Sequence, residues 1–188
     1  RAELINVAAV FTYKRLKGRN FAIITHAGGS AVMLTDALSK GELAVPEITS
    51  DKAESLLEYL YPGSSVTNPI DFLATGTAEQ LGTIIDYCEH QFHEIDAIIV
   101  VFGSPGLFDV ENVYRVLNKK VSLCQKPIFP VLPSVINAEK EIKYFLAQGN
   151  VNFPDEVALG EALCAVANTK RPMDEFIPLP KINEKRTV

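Results

Sequence analysis

Tryptophan is absent from this 188-residue chain, methionine occurs only twice, and the three cysteines, Cys88, Cys124 and Cys164, lie far apart in apolar segments. A scattered, odd-numbered cysteine set excludes a disulfide-built scaffold and predicts reduced core thiols in a cytoplasmic protein. No apolar run approaches the roughly 20 residues that cross a bilayer, and no signal-peptide pattern is visible. Nor is there a basic patch with interleaved aromatics; at a net charge of -5, nucleic acid is not an expected partner. Cys88, Glu89, His90, His93 and Glu94 resemble a metal cluster when written out. On a helix only His90 and His93 share a face, which is too few ligands for a site, so no metal is expected here.

What the chain does have is 47% hydrophobic residues, enough for one good core. It is organised around the stretch from Phe21 to Gly41. Phe21 to Thr25 (FAIIT) is a short apolar run of the kind found in a parallel strand buried on both faces. It stops at His26-Ala27-Gly28-Gly29-Ser30, and a helix follows whose residues Ala31 to Leu38 are apolar nearly all round, with Gly41 as its C-terminal stop. A strand that feeds a helix through two glycines leaves the first helix amides without carbonyl partners. Such an end carries roughly half a positive charge, and glycine lets an anion reach the backbone without meeting a Cβ. The plainer alternative is a tight strand-to-helix turn and nothing more.

The remaining elements alternate. Residues 2–16 form an amphipathic helix, with Leu4, Ile5, Ala8, Val10, Phe11 and Leu16 at helical spacing. Glu42 to Thr49 is a weak second strand, placed at an edge by Pro46. A helix then starts at Ser50 or Asp51, and residues 61–76, rich in proline, glycine and small polar groups, form a long loop. Helices over 78–92, 110–123, 137–147 and 155–168 separate strands at Ile95–Phe102, Pro127–Leu132 and Val151–Phe153. Strict alternation of strand and helix predicts an α/β fold, a flavodoxin-like doubly wound sheet of five parallel strands in the order 2-1-3-4-5. The domain proper spans 19–169, after an N-terminal helix and link over 1–18 and before a linker tail over 170–188. A chain that opens on Arg1 reads as a piece of a longer protein.

In such a sheet ligands bind at the carboxyl ends of the strands, at the switch between strands 1 and 3. The candidate phosphate-binding residues are therefore His26, Ala27, Gly28, Gly29, Ser30 and Ala31. Asn68-Pro69-Ile70-Asp71 supplies a supporting loop, in which Asn68 and Asp71 either hold the backbone or orient a bound group. His26 fits a hydrogen-bond donor to phosphate, or a cap on the turn, better than a phosphorylated histidine. Asp36 fits a buried carboxylate held by a neighbouring loop. The acidic triad and lysine of a phosphoaccepting receiver domain are missing, and no nucleophile elbow is present.

The run T-H-A-G-G, the buried helix reaching Asp36, the Asn68-Pro69-Ile70-Asp71 loop, the IDAIIVV and KPI strands and the PDEVALGEAL helix together resemble the ligase domain of the NDP-forming acyl-CoA synthetases. The ADP-forming acetyl-CoA synthetases belong to that family, and succinyl-CoA synthetase is a more distant relative. The likeness covers about residues 2–169. It implies a domain of an enzyme that interconverts acyl-CoA, ADP and phosphate with acid, CoA and ATP through an acyl phosphate and a phosphohistidine. By this likeness Gly28, Gly29, Ser30 and Ala31 form one of two helix ends aimed at that phosphohistidine. The histidine-bearing loop of the family is not in this sequence, so no catalytic residue is assigned and the chain alone is expected to be inactive. His26 also stands where asparagine is usual. The full enzyme would use CoA, ATP or ADP, and Mg, none of them bound tightly by this domain. Partners would be the CoA-binding, phosphohistidine and ATP-grasp domains of the same enzyme, and an oligomer is left open.

Two readings compete. One is a non-catalytic sensing or scaffolding module, as in synthetase-like portions of protein acetyltransferases. The other is a flavodoxin-type FMN carrier, with Thr25 to Ser30 cradling the flavin phosphate; the lack of tryptophan and of an obvious ring-stacking pair in the loops counts against it.

Overall fold

A computed structural model describes residues 2–104 and 110–169. In chain order the elements are α1 (Ala2–Val10), β1 (Phe21–Thr25), α2 (Gly28–Ser39), α3 (Asp51–Leu57), β2 (Ile70–Asp71), α4 (Ala78–His90), β3 (Ala97–Val101), α5 (Glu111–Leu123), β4 (Ile128–Val131), α6 (Glu139–Ala147) and α7 (Glu156–Asn168). Four strands form one parallel sheet in the order β2-β1-β3-β4. The side chains of β1 and β3 alternate between two cores. Ala22, Ile24, Ile98 and Val100 join α3, α4, α5 and α6 on one face, while Phe21, Ile23, Ala97, Ile99 and Val101 join α1, α2 and α7 on the other. Every residue of both strands is buried, which is why they read as unbroken apolar runs rather than alternating ones.

Two expected strands are corrected. Glu42–Thr49 is not the second strand: only Ala44 pairs with the sheet, at an isolated bridge to Asn20. The strand beside β1 is instead Ile70–Asp71, from within the stretch expected to be irregular. Pro46 and the left-handed backbone of Glu42 (φ 59°) keep the earlier segment out of the ladder, although its Leu43 and Ile48 are buried. Among the described residues the fifth position holds no strand, only a parallel bridge between Val131 and Phe153. The expected linker, 170–188, and residues 105–109 of the strand 3 loop lie outside the described residues.

The edge outside β1 is completed by a side chain. Ala44 accepts from the Phe21 amide at 2.8 Å and Ile70–Asp71 pairs with Ile24–Thr25, leaving a gap in between. Asn68 fills it: its Oδ1 accepts from the Ile23 N–H at 3.0 Å, and its Nδ2 donates to the carbonyls of Phe21 and Pro46, each at 2.9 Å. Asn68 has φ 67°, a left-handed conformation that asparagine tolerates better than most residues.

Helix ends follow local chemistry. Thr77 and Gln80 form a reciprocal capping box at the start of α4, a T-x-x-Q signal in the sequence, and Asp155 caps α7 by accepting from the Ala158 N–H at 2.6 Å. Gly41 is not the left-handed residue that stops α2; Glu42 is. Glycine is needed at 41 because a Cβ there would run into the side chain of Cys164 on α7, and one at Gly160 would lie 2.7 Å from the Ala37 Cβ. Helix α7 thus packs closely against α2 and the turn that follows it. α1 ends at Val10 rather than continuing to residue 16, and Leu4, Ile5 and Phe11, expected inside, are largely exposed.

Tyr13, in the segment after α1, ties that segment to the fifth position. Its hydroxyl accepts from the Val151 N–H at 3.0 Å and donates to the Val151 carbonyl, and its ring packs edge-on to Phe129. Burial raises the phenol pKa well above its usual value. Tyr13→Phe should cost about 1–2 kcal/mol, the worth of a buried hydrogen-bond pair left open, read as a lower urea midpoint.

Candidate functional site

The site lies at the carboxyl end of β1. Thr25 is fully buried, and its Oγ1 accepts from the Ala27 N–H at 2.9 Å and lies 3.1 Å from the Ala27 carbonyl, folding the chain back into a tight turn. α2 then begins at once on Gly28, so the two glycines occupy its first turn instead of preceding it. Ala27 is the N-cap in extended conformation (φ -143°, ψ 100°), and no side chain caps the helix. Ala27, Gly28 and Gly29 are exposed, and among the described residues no loop carbonyl or side chain accepts from the amides of Gly28 or Gly29. Open amides at the positive end of a 12-residue helix can bind an anion.

The neighbours of this helix end differ in what they can do. His26 does not face it. Its Nε2 lies 3.0 Å from both the N and the O of Gly103, and its ring meets Phe102 edge-on at 4.7 Å between centroids. The Nδ1 is buried, with no partner among the described residues. In this arrangement His26 joins the β1 loop to the β3 loop, and neither ring nitrogen is presented to an incoming group. Ser104, next along the β3 loop, donates its amide to the Ser134 Oγ at 2.7 Å, which links the β4 loop to the same end.

Asp71 approaches from the other side. Its Oδ1 accepts from the Leu73 N–H at 2.9 Å, and its Oδ2 lies 4.0 Å from where a Cβ on Gly28 would be. A carboxylate therefore stands beside the helix end. Asn68 is 9% exposed and its amide is spent on the sheet edge, so it supports the loop and does not reach the helix end. Asp36, expected to be buried, is exposed on α2. Ala31, Leu34, Ala37 and Leu38 form the buried face, while Val32 and Met33 are 61% and 51% exposed.

Two other features separate from the site. Cys88 is fully buried, its thiol pushed up to about 12 by desolvation, whereas His90 and His93 are exposed. Glu89 accepts from the amides of Gln125 and Lys126, and Lys126 donates to the Cys88 and Phe92 carbonyls, so this end of α4 serves packing. A cavity of about 260 Å³ opens between the first turns of α4 and α5, lined by residues 74–79 and by Phe102, Val110, Asn112 and Val113. It went unanticipated, since its walls converge only once β2 is placed at Ile70–Asp71.

A sequence profile of the Ligase-CoA domain matches residues 21–171, from the first residue of β1 to just beyond α7. The chain belongs to the Ligase-CoA domain family. This Ligase-CoA domain is 34% identical over 77 residues to the alpha subunit of an ADP-forming acetate–CoA ligase II of Pyrococcus furiosus, covering 41% of this chain and 17% of the relative. It is 24% identical over 155 residues to an ADP-forming 4-hydroxybutyrate–CoA ligase of Nitrosopumilus maritimus, covering 80% and 21%. The chain thus spans about a fifth of the curated relatives it matches. Its fold matches the ADP- and phosphate-bound dinucleotide-forming acetyl-coenzyme A synthetase 1 of Candidatus Korarchaeum cryptofilum, with TM-score 0.75 and 14% identity over 88% of this chain and 36% of that one. A Pyrococcus horikoshii protein of known structure gives TM-score 0.77 and 22% identity over 88% and 40%.

Proposed function

We propose that this domain works within an ADP-forming acyl-CoA synthetase, converting acyl-CoA, ADP and phosphate to acid, CoA and ATP through a phosphohistidine carried on another domain. The domain's part is to receive the phosphoryl group at the start of α2. The observation that carries this reading is the uncapped, exposed first turn at Gly28-Gly29, at the carboxyl edge of a parallel sheet. The amides of Gly28, Gly29 and Ser30 stabilise the anion, while the Ala31 N–H is taken by the carbonyl of the N-cap residue, Ala27; Ala27 sets the entry to the helix, and His26 holds the β1 and β3 loops at a fixed spacing. Stabilisation by fixed dipoles requires no proton transfer from this chain. CoA, nucleotide and Mg are held by the CoA-binding, phosphohistidine and ATP-grasp domains. In the complete fold Phe153 marks the fifth position of a flavodoxin-like sheet.

Amide chemical shifts of the 188-residue chain, followed while inorganic phosphate is added, test the placement. Gly28, Gly29 and Ser30 should move together and Gly149, far from the site, should not; an unmoved first turn would sink the assignment. Asp71→Asn should strengthen phosphate binding about fivefold, because it removes a charge worth about 1 kcal/mol of repulsion at this separation in partly screened surroundings. The amide that replaces the carboxylate keeps an oxygen for the Leu73 N–H, so the loop should retain its shape. Weaker binding by the variant would instead make Asp71 a ligand-supporting group.

A further inference from the structure

At the opposite end of β1 from the glycines, the described residues between α1 and β1 stand away from the end of α7 and shape a groove of about 630 Å³. That volume falls within the roughly 300–1,000 Å³ usual for small-molecule sites. The floor is apolar, made by Val10, Phe11, Leu16 and Val166, and Phe11 is 69% exposed. The rim is basic: Lys14, Arg15, Lys17 and Arg19 line it, and among the described residues no acidic one does. Four of the chain's 18 lysines and arginines thus fall within six residues, a concentration that the net charge of -5 conceals.

The four cations are of two kinds. Lys14 and Arg19 are held in place. The Lys14 ammonium donates to the carbonyls of Ser122 and Cys124 at the end of α5, and the Arg19 guanidinium donates to the Gly41 carbonyl at 2.7 Å and to the Asn168 Oδ1 at 2.8 Å. Each of these partners is neutral, so both charges stay uncancelled. Arg15 and Lys17 are exposed and make no ion pair or hydrogen bond among the described residues. Asp96, the carboxylate beside Gly18, is engaged by the Asn20 N–H at 2.9 Å. The rim is therefore a positive field with two unused donors, next to an exposed aromatic ring. Arginine and lysine suit phosphate oxygens, and an aromatic face suits a base. Two free cations match the phosphates of one nucleotide, whereas a nucleic-acid strand needs a longer basic track.

We propose that this groove binds a nucleoside polyphosphate, with its base against Phe11 and Leu16 and its phosphates on Arg15 and Lys17. The site is separate from the α2 end and does not depend on what that end does. The test is a titration of the 188-residue chain with ADP, without magnesium, followed by amide chemical shifts. The amides of Leu16, Lys17 and Val166 should move and saturate together. R15E with K17E should weaken ADP about tenfold or more, since each reversal removes an attraction and adds a repulsion. Phe11→Ser should weaken it about fivefold, the worth of a ring contact, and should leave pyrophosphate, which brings charge without a base, unaffected. These three side chains are exposed, so the far-UV spectrum should not change. Coenzyme A carries an adenosine diphosphate group too, and a parallel titration separates the sources: tighter binding of ADP assigns the groove to free nucleotide, tighter binding of coenzyme A to the coenzyme. Groove amides that stay still as ADP is added overturn the proposal. So does pyrophosphate binding as tightly as ADP, which would leave an anion patch only. So do ADP shifts that vanish in Gly29→Val but survive R15E with K17E, which would belong to the α2 end.

Discussion

Asn68→Ala should lower the stability of the domain by about 4 kcal/mol, a large share of the 5–15 kcal/mol available to a typical domain. The substitution strips partners from the Ile23 N–H and the Phe21 carbonyl, both on a strand whose residues are fully buried. Each such orphan costs about 1–3 kcal/mol. Alanine also fits the left-handed backbone at 68 less well than asparagine, adding about 1 kcal/mol. The measurement is a urea titration of parent and variant: the midpoint should fall while the slope stays the same, because the unfolded state exposes the same surface. Equal midpoints would mean that water or a shifted backbone replaces the side-chain amide, and that the edge of β1 does not depend on it.

On the proposed function, Gly29→Val in the full-length protein should reduce phosphoenzyme formation by about 10²- to 10³-fold, the range seen when a fixed donor to a developing oxyanion is lost. The site allows a clean reading of this variant. Among the described residues nothing lies within 4 Å of where a Cβ at 29 would sit, and the glycine is not in a left-handed conformation. The described part of the fold leaves room for the valine, so it should act on what approaches the helix end from outside. Its branched side chain stands over the Gly28, Gly29 and Ser30 amides and holds a phosphoryl oxygen beyond hydrogen-bond range. Gly29→Ala should fall between the two. Labelling at the parent rate in the valine variant, with the protein folded, would refute a role for this helix end in phosphoryl transfer.

Much of this was readable from residue order. The buried strands at Phe21–Thr25 and Ala97–Val101 and the helices that follow them were legible because long apolar runs bounded by glycine leave few alternatives. The edge was not. Ile70–Asp71 is too short to show a period, and its pairing depends on Asn68 standing in for backbone, a contact between residues 45 apart in sequence. The apolar residues of Glu42–Thr49 mimic a strand because they are buried, yet loops bury side chains as well. At the site, the Gly28-Gly29 pair announced an open helix end, but not that the glycines lie inside its first turn. His26 looked like a group facing the anion; only the fold reveals that Phe102 and Gly103 hold it on the neighbouring loop. Asp36 looked buried because the helix around it is apolar nearly all round, and the exposure of Val32 and Met33 shows that one side of that apolar surface is left for solvent or a neighbour.

The composite margin of the sheet has a consequence for how the chain behaves in company. A bare outer strand offers a continuous row of donors and acceptors on which a foreign strand can grow. Here that row is broken into a single bridge at Ala44, a carboxamide at Asn68 and a two-residue strand, and on the far side Phe153 and the hydroxyl of Tyr13 interrupt it again. Such a sheet gives template-driven polymerisation little to start from at either margin.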